Sequence, residues 1–314
     1  MQDDLTIIPS PAKPALRTDF AADLHARFLS YLDASPKTAE TYSKALRRMF
    51  GYFALHGLRE PRREDIIAFR EELKASGHRP ATVHVYIAAA RRFFGWTAQE
   101  GLYPNIADRL KGAKLDRGHK RDYLTSTQVK AVLASIGLDG LGGLRDYALV
   151  TLMVTAGLRT IEVIRANVGD LRTFGDETVL YVQGKGHDER SEYVKVSAPV
   201  ERAIRAYLGA RKATDEAAPL FSSGANKNRG GRMTTRSISR IVKDKLRAAG
   251  YDSCRLTAHS LRHTAVTLSL LAGKDLAEVQ QFARHSQLAT TMIYAHHLER
   301  AKNSCGEAIT AAIF

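Results

Sequence analysis

Cysteine is scarce in this chain: Cys254 and Cys305 are the whole complement in 314 residues. Two thiols without paired metal-ligand spacing build neither a disulfide framework nor a zinc site, and they read as free thiols in a reducing compartment. No stretch approaches the roughly 20 apolar residues that would span a bilayer. The opening Met1-Gln2-Asp3-Asp4 is acidic, and Leu5-Thr6-Ile7-Ile8 is too short for the core of a signal peptide. These absences predict a soluble, cytoplasmic protein that does not engage a membrane. Acid is in deficit as well, with 47 Lys and Arg against 33 Asp and Glu and a formal charge of +14. So basic a surface attracts polyanions, nucleic acid foremost. The remaining composition is ordinary, 44% apolar and 25% charged, enough for a core, and the length favours two domains.

Residues 1–17 carry Pro9, Pro11 and Pro14 with little periodicity and read as a flexible lead-in. From Phe20 a helical period sets in, with Phe20, Leu24 and Phe28 four apart. Ser35-Pro36 predicts a helix cap with proline in the first turn, and Leu46, Phe50 and Phe53 follow along that helix. Pro61 precedes a third helix with Ile66, Ile67, Phe69 and Leu73, closed by Ser76-Gly77. A fourth is predicted from about Ala81 to Glu100, with Tyr86, Ala90, Phe93 and Trp96 near one stripe. Residues 18–112 thus read as a helical bundle. The basic stretch Lys111–Arg121 marks a linker, placed at 113–122. A second domain, 123–304, opens with helices over Thr125–Ile136 and Leu144–Thr155. Alternation in Thr178–Val182 and Glu192–Val196 around Gly184-Lys185-Gly186 predicts a β-hairpin with Lys185 at its tip. After Pro199 the chain reads as helical, ending in a short segment, 305–314, with Ile309, Ile313 and Phe314 apolar.

The second domain also holds an uncommon set of chemical groups. Arg159 follows an apolar helix, where a guanidinium is costly unless it meets an anion. His259 and Arg262 are three apart on one helical face, and His285 and Tyr294 follow nine residues apart. Singly, each has a plainer reading: a surface ion pair for Arg159, an ordinary turn for Gly184-Lys185-Gly186, a half-buried core tyrosine for Tyr294. His259 and His263 have a metal-like spacing, but the intervening Ser260-Leu261-Arg262 lacks a zinc protease's glutamate and brings in a repelling arginine.

Together, Ala156-Gly157-Leu158-Arg159-Thr160-Ile161-Glu162, Gly184-Lys185-Gly186, His259-Ser260-Leu261-Arg262-His263-Thr264 and His285 to Tyr294-Ala295-His296 resemble in order and spacing the tyrosine recombinase, or phage integrase, family, with its two-domain Xer-type and Cre-type members. The resemblance runs from about residue 20 to the C-terminus. It implies a mainly α fold with a small β-hairpin or sheet (α+β), in which a SAM-like DNA-binding bundle and a mostly helical catalytic domain form a C-shaped clamp. It assigns Arg159 and Arg262 to the scissile phosphate, Lys185 to the leaving oxygen, His259 to proton transfer, His285 to a non-bridging oxygen and Tyr294 to nucleophilic attack, with Glu162 supporting from behind. It implies cleavage and rejoining of double-stranded DNA through a 3′-phosphotyrosyl intermediate and a Holliday junction, without metal, cofactor or ATP. It further implies a nucleoid-associated homotetramer on two DNA sites, with exchange of the C-terminal helix, and leaves an accessory protein open. One departure stands out: the family more often has Leu-Gly where this chain has Ala283-Arg284, which puts the geometry around His285 in question.

Beyond the site, Lys227, Arg229, Arg232, Arg236 and Arg240 are candidate DNA contacts, as are Arg91 and Arg92 in the bundle. Two rival functions share these features: DNA relaxation in the manner of a type IB topoisomerase, and a DNA-binding regulator that has lost catalysis.

Overall fold

A computed structural model describes residues 18–114, 122–184, 191–301 and 303–314. Two compact units divide between Arg117 and Gly118. The lead-in 1–17, much of the linker and Lys185 lie outside the described residues.

The first unit holds helices α1 (Thr18–Tyr31), α2 (Pro36–Leu55), α3 (Arg63–Ala75) and α4 (Pro80–Gln99). The Ser35 hydroxyl accepts the Thr38 N–H, and Pro36 occupies the first turn of α2, as Ser35-Pro36 predicts. Leu24, Phe28, Leu46, Phe53, Ile66, Phe69, Leu73, Ala90, Phe93 and Trp96 form its core. Rings meet edge to face there, Phe28 with Phe93 at 5.5 Å and Phe50 with Phe93 at 5.3 Å.

The second unit opens with α5 (Ser126–Ala134), α6 (Gly140–Thr155) and the short α7 (Thr160–Arg165). A three-stranded antiparallel sheet follows: β1 (Leu171–Phe174), β2 (Glu177–Val182) and β3 (Glu192–Lys195), in that order. Next come α8 (Ala198–Arg211), α9 (Thr235–Ala248), α10 (Ala258–Leu271), α11 (Leu276–Ala283), α12 (Leu288–Ala301) and α13 (Cys305–Ile313). Helix α6 is apolar nearly all round and runs through the core, with Leu149, Leu152 and Met153 buried.

Two expectations change. The sheet has a third strand, β1, which joins β2 through Gly175 (φ 59). The expected β2–β3 hairpin forms, its register pairing Val182 with Glu192, and Lys185 at its expected tip lies outside the described residues. The chain after Pro199 is not helical throughout. Residues 212–234 run as irregular chain with one 3-10 turn, held by bridges Asn167 to Pro219 and Ser222 to Arg232. Pro219, Gly224, Gly230 and Gly231 explain the break, since Gly230 takes φ 80 and proline interrupts helical hydrogen bonding.

Candidate active site

The apolar helix α6 ends at Gly157, whose φ of 59 turns the chain so that Leu158 stays buried while Arg159 emerges at the start of α7. A side chain at 157 would press on the Phe282 ring at 3.2 Å, so this turn needs glycine twice over. Glu162, in the first turn of α7, is fully buried. Its Oε2 accepts the Arg159 backbone N–H at 2.8 Å and its Oε1 accepts Arg159 Nη1 at 2.7 Å. The carboxylate therefore sets the guanidinium's direction from behind, where the N-terminal end of a helix favours negative charge.

Helix α10 brings in Arg262, which is only 2% exposed. Its Nη1 donates to the Gly157 carbonyl at 2.6 Å, and its Nη2 donates to the Ala283 carbonyl. Burial pushes the group down to about 10, with the like charges of Arg159 and Arg284 adding to the effect, so it remains a cation at neutral pH. Arg159 Nη2 donates to the Arg284 carbonyl at 3.2 Å. The two guanidiniums thus rest on successive carbonyls of one turn, 283–284, at the end of α11.

Tyr294, on α12, is 6% exposed and packs with Val266, Val279 and Ala283. Burial raises its phenol above the ordinary value, while the Arg262 and Arg159 charges pull the other way. Its ring lies 5.2 Å from that of His263 and 6.1 Å from that of His285, the latter nearly parallel. His263 in turn meets the exposed His259 edge-on at 4.8 Å. His285 Nδ1 shares a hydrogen bond of 2.9 Å with Thr291 Oγ1. Burial, then the charges of Arg262, Arg159 and Arg284, push the imidazole down to about 4, so it rests neutral.

Of these groups Arg159, Arg284 and His285 line a cleft of about 510 Å³, together with Gly184 and Gln280. Arg165 Nη1 holds the Gly184 carbonyl at 3.1 Å, fixing the last described residue before Lys185 on the cleft wall. Arg159, Glu162, Arg262, His285 and Tyr294 therefore converge, with His259 joined through His263. Sequence reasoning missed two participants. Thr291 orients His285, and Arg284, flagged only as a departure, is buried inside the site.

The candidate DNA contacts separate into two kinds. Arg232 works within the fold, donating to the Ile164 and Ala166 carbonyls and to Asn167 Oδ1. Lys227, Arg229, Arg236, Arg240 and Arg92 are exposed, and Arg91 is half-buried. On α9, Ile238, Val242 and Leu246 face the core, which leaves Arg236 and Arg240 outward.

Residues 122–300 match the phage integrase family, and residues 26–101 match its N-terminal SAM-like domain. The chain belongs to the phage integrase family of tyrosine recombinases. A tyrosine recombinase XerA of Pyrococcus furiosus is 30% identical over 87% of this chain and 91% of its own. A tyrosine recombinase XerD of Caulobacter vibrioides is 30% identical over 87% and 92%. A XerC of Caldanaerobacter subterraneus is 34% identical, but the match spans 61% of this recombinase and 52% of that relative. Among solved structures, a XerH site-specific recombinase bound to palindromic difH substrate superposes with TM-score 0.72 at 21% identity, covering 91% of this chain and 85% of that one. A lambda integrase dimer bound to a core site superposes with TM-score 0.66 at 16% identity, covering 86% and 96%. These structural likenesses establish a shared fold. No helix among the recombinase's described residues is long and apolar enough to cross a membrane.

Proposed function

We propose that this recombinase cuts and rejoins double-stranded DNA at a specific site through a 3′-phosphotyrosyl bond to Tyr294, using no metal and no ATP. The observation that carries the reading is a charge imbalance at a buried tyrosine: Arg159 and Arg284 share one buried carboxylate, Glu162, while Arg262 beside them rests only on the Gly157 and Ala283 carbonyls. Such a pocket lacks an anion, and a phosphodiester supplies one.

Tyr294 Oη attacks phosphorus in line while the 5′ oxygen of the next nucleotide departs, passing through a five-coordinate phosphorane with extra negative charge. Arg159 and Arg262, their directions fixed by Glu162 and by backbone carbonyls, stabilise that charge without reorganising. This is the part a metal ion plays in other phosphoryl transfers. The buried phenol rests protonated, so attack requires a base. His259, on the exposed side of the ring series, takes the proton. Neutral His285 donates to a non-bridging oxygen, with Thr291 setting the ring. Lys185 protonates the leaving oxygen. The phosphotyrosyl bond conserves the energy of the broken one, so a 5′-hydroxyl from a second duplex reverses the step with no ATP, and two rounds pass through a Holliday junction.

The exposed α13, with Ile309, Ile313 and Phe314 bared to solvent, supports a cyclic homotetramer on two DNA sites in which each protomer lends this helix to the next. The substrate places the enzyme at the nucleoid. In EDTA and without ATP, two labelled duplexes carrying the DNA that flanks the gene should yield four-way junctions and exchanged products. Supercoil relaxation without exchange would favour the topoisomerase reading, and specific binding without cleavage would favour the regulator.

A further inference from the structure

Arg284 stands where the family resemblance places glycine, and its backbone shows why glycine is usual there. It takes φ 53, the left-handed conformation that ends α11. A non-glycine residue is strained in that conformation. The side chain is not displaced outward for relief but drawn in, and is 5% exposed. Its Nη1 donates to the Phe282 carbonyl at 2.9 Å, and its Nη2 donates to Glu162 Oε2 at 2.9 Å. Glu162 is thereby divided between two guanidiniums, Arg159 on Oε1 and Arg284 on Oε2.

We propose that Arg284 is a positioning residue for the scissile phosphate, holding Glu162 and the 283–284 turn so that Arg159 and Arg262 face the phosphodiester. The proposal rests on the recombinase reading above. Two features of the site lead to it. First, with Arg284 absent, Glu162 and Arg159 would form a neutral pair that competes with the phosphate for Arg159. With Arg284 present, the carboxylate is shared, and Arg159 keeps charge to offer. Second, the Ala283 and Arg284 carbonyls seat Arg262 and Arg159 respectively. The bonds of the Arg284 side chain to Phe282 and Glu162 tie that turn to α7 and set where both carbonyls point.

The test is a single-turnover cycle with the full chain on a nicked half-site, comparing wild type, Arg284→Gly, Glu162→Gln and the double variant, with DNA affinity measured alongside. Glycine suits the backbone at 284. The rate of adduct formation at saturating protein should fall about tenfold to a hundredfold in Arg284→Gly, the usual effect of removing a group that orients site ligands, while the affinity for DNA changes less than about threefold. Because both residues act through one contact, the double variant should lose no more than the worse single one. Arg284→Lys should recover part of the rate. Arg284→Gln, which drops the charge but keeps a donor, is read in the same way should the glycine variant fail to fold. Wild-type rates in Arg284→Gly, or losses that multiply in the double variant, would overturn the proposal. No adduct from wild type would instead remove the recombinase reading beneath it.

Discussion

Tyr294 and His285 share one set of arginines, yet burial holds both neutral: the phenol is pushed up and the imidazole down to about 4. For His285 the causes in order are burial, Arg262, Arg159, Arg284 and His259. Its folded value lies below its unfolded one, near 6.5. The unfolded chain therefore binds more protons across that interval, and stability falls as pH drops from about 6.5 to about 4. In the DNA-free protein, histidine NMR should show no His285 titration above about pH 5; a midpoint near 6.5 would contradict this description. Glu162 gives a second prediction. Burial works against its charge, but Arg284 and the Arg159 backbone and guanidinium outweigh it, and its carboxyl sits below the ordinary range. Its depressed value stabilises the fold above the unfolded value and is lost as pH falls below it. Glu162→Gln should then cost about 3 kcal/mol at pH 7, read by denaturant unfolding, with the gap to wild type closing below about pH 4. Most of this site was legible only in the joint order of its motifs, which resembles the family's, because each arginine, histidine or tyrosine alone has a plainer structural reading. Arg284 could not be read, because neither left-handed backbone nor burial shows in a side chain that is usually exposed.

Among elements, α2, α6 and the β2–β3 pair were legible from caps and apolar period. Strand β1 was not, since three of its four residues are exposed and the pattern never alternates. The irregular stretch 212–234 was missed because its glycines lie among polar residues that also suit helix surfaces; Gly230 at φ 80 and the bridges Asn167 to Pro219 and Ser222 to Arg232 show that chain folding back. Helix α9 is the element whose outward face should touch DNA. Its remaining cations are engaged locally, Lys243 and Arg247 with Asp252 and Lys245 with Asp146, which leaves Arg236 and Arg240. Replacing either by Ala should weaken binding to specific and random DNA alike and lower the salt slope by about one. An unchanged slope would place α9 away from the phosphates.

For the whole molecule, the +14 charge, the family match and the anion-seeking pocket agree on a DNA substrate, and assembly is the larger question. Helix α13 bares Ile309 and Ile313, with Phe314 exposed beside them, an apolar surface unfavourable for a protomer acting alone. Deleting 305–314 should leave binding to a single site intact and abolish the tetrameric complex by native mass measurement. Persistence of the tetramer would refute helix exchange.

The most direct measurement identifies the residue that joins DNA. Trypsin cleaves after Arg284 and Arg300, releasing His285–Arg300, a peptide whose single tyrosine is Tyr294. After trapping on a nicked substrate and nuclease digestion, mass spectrometry should find a 3′-linked nucleotide on Tyr294, and no adduct in Tyr294→Phe. DNA attached to any other residue, or strands cut with no protein attached, would contradict the account.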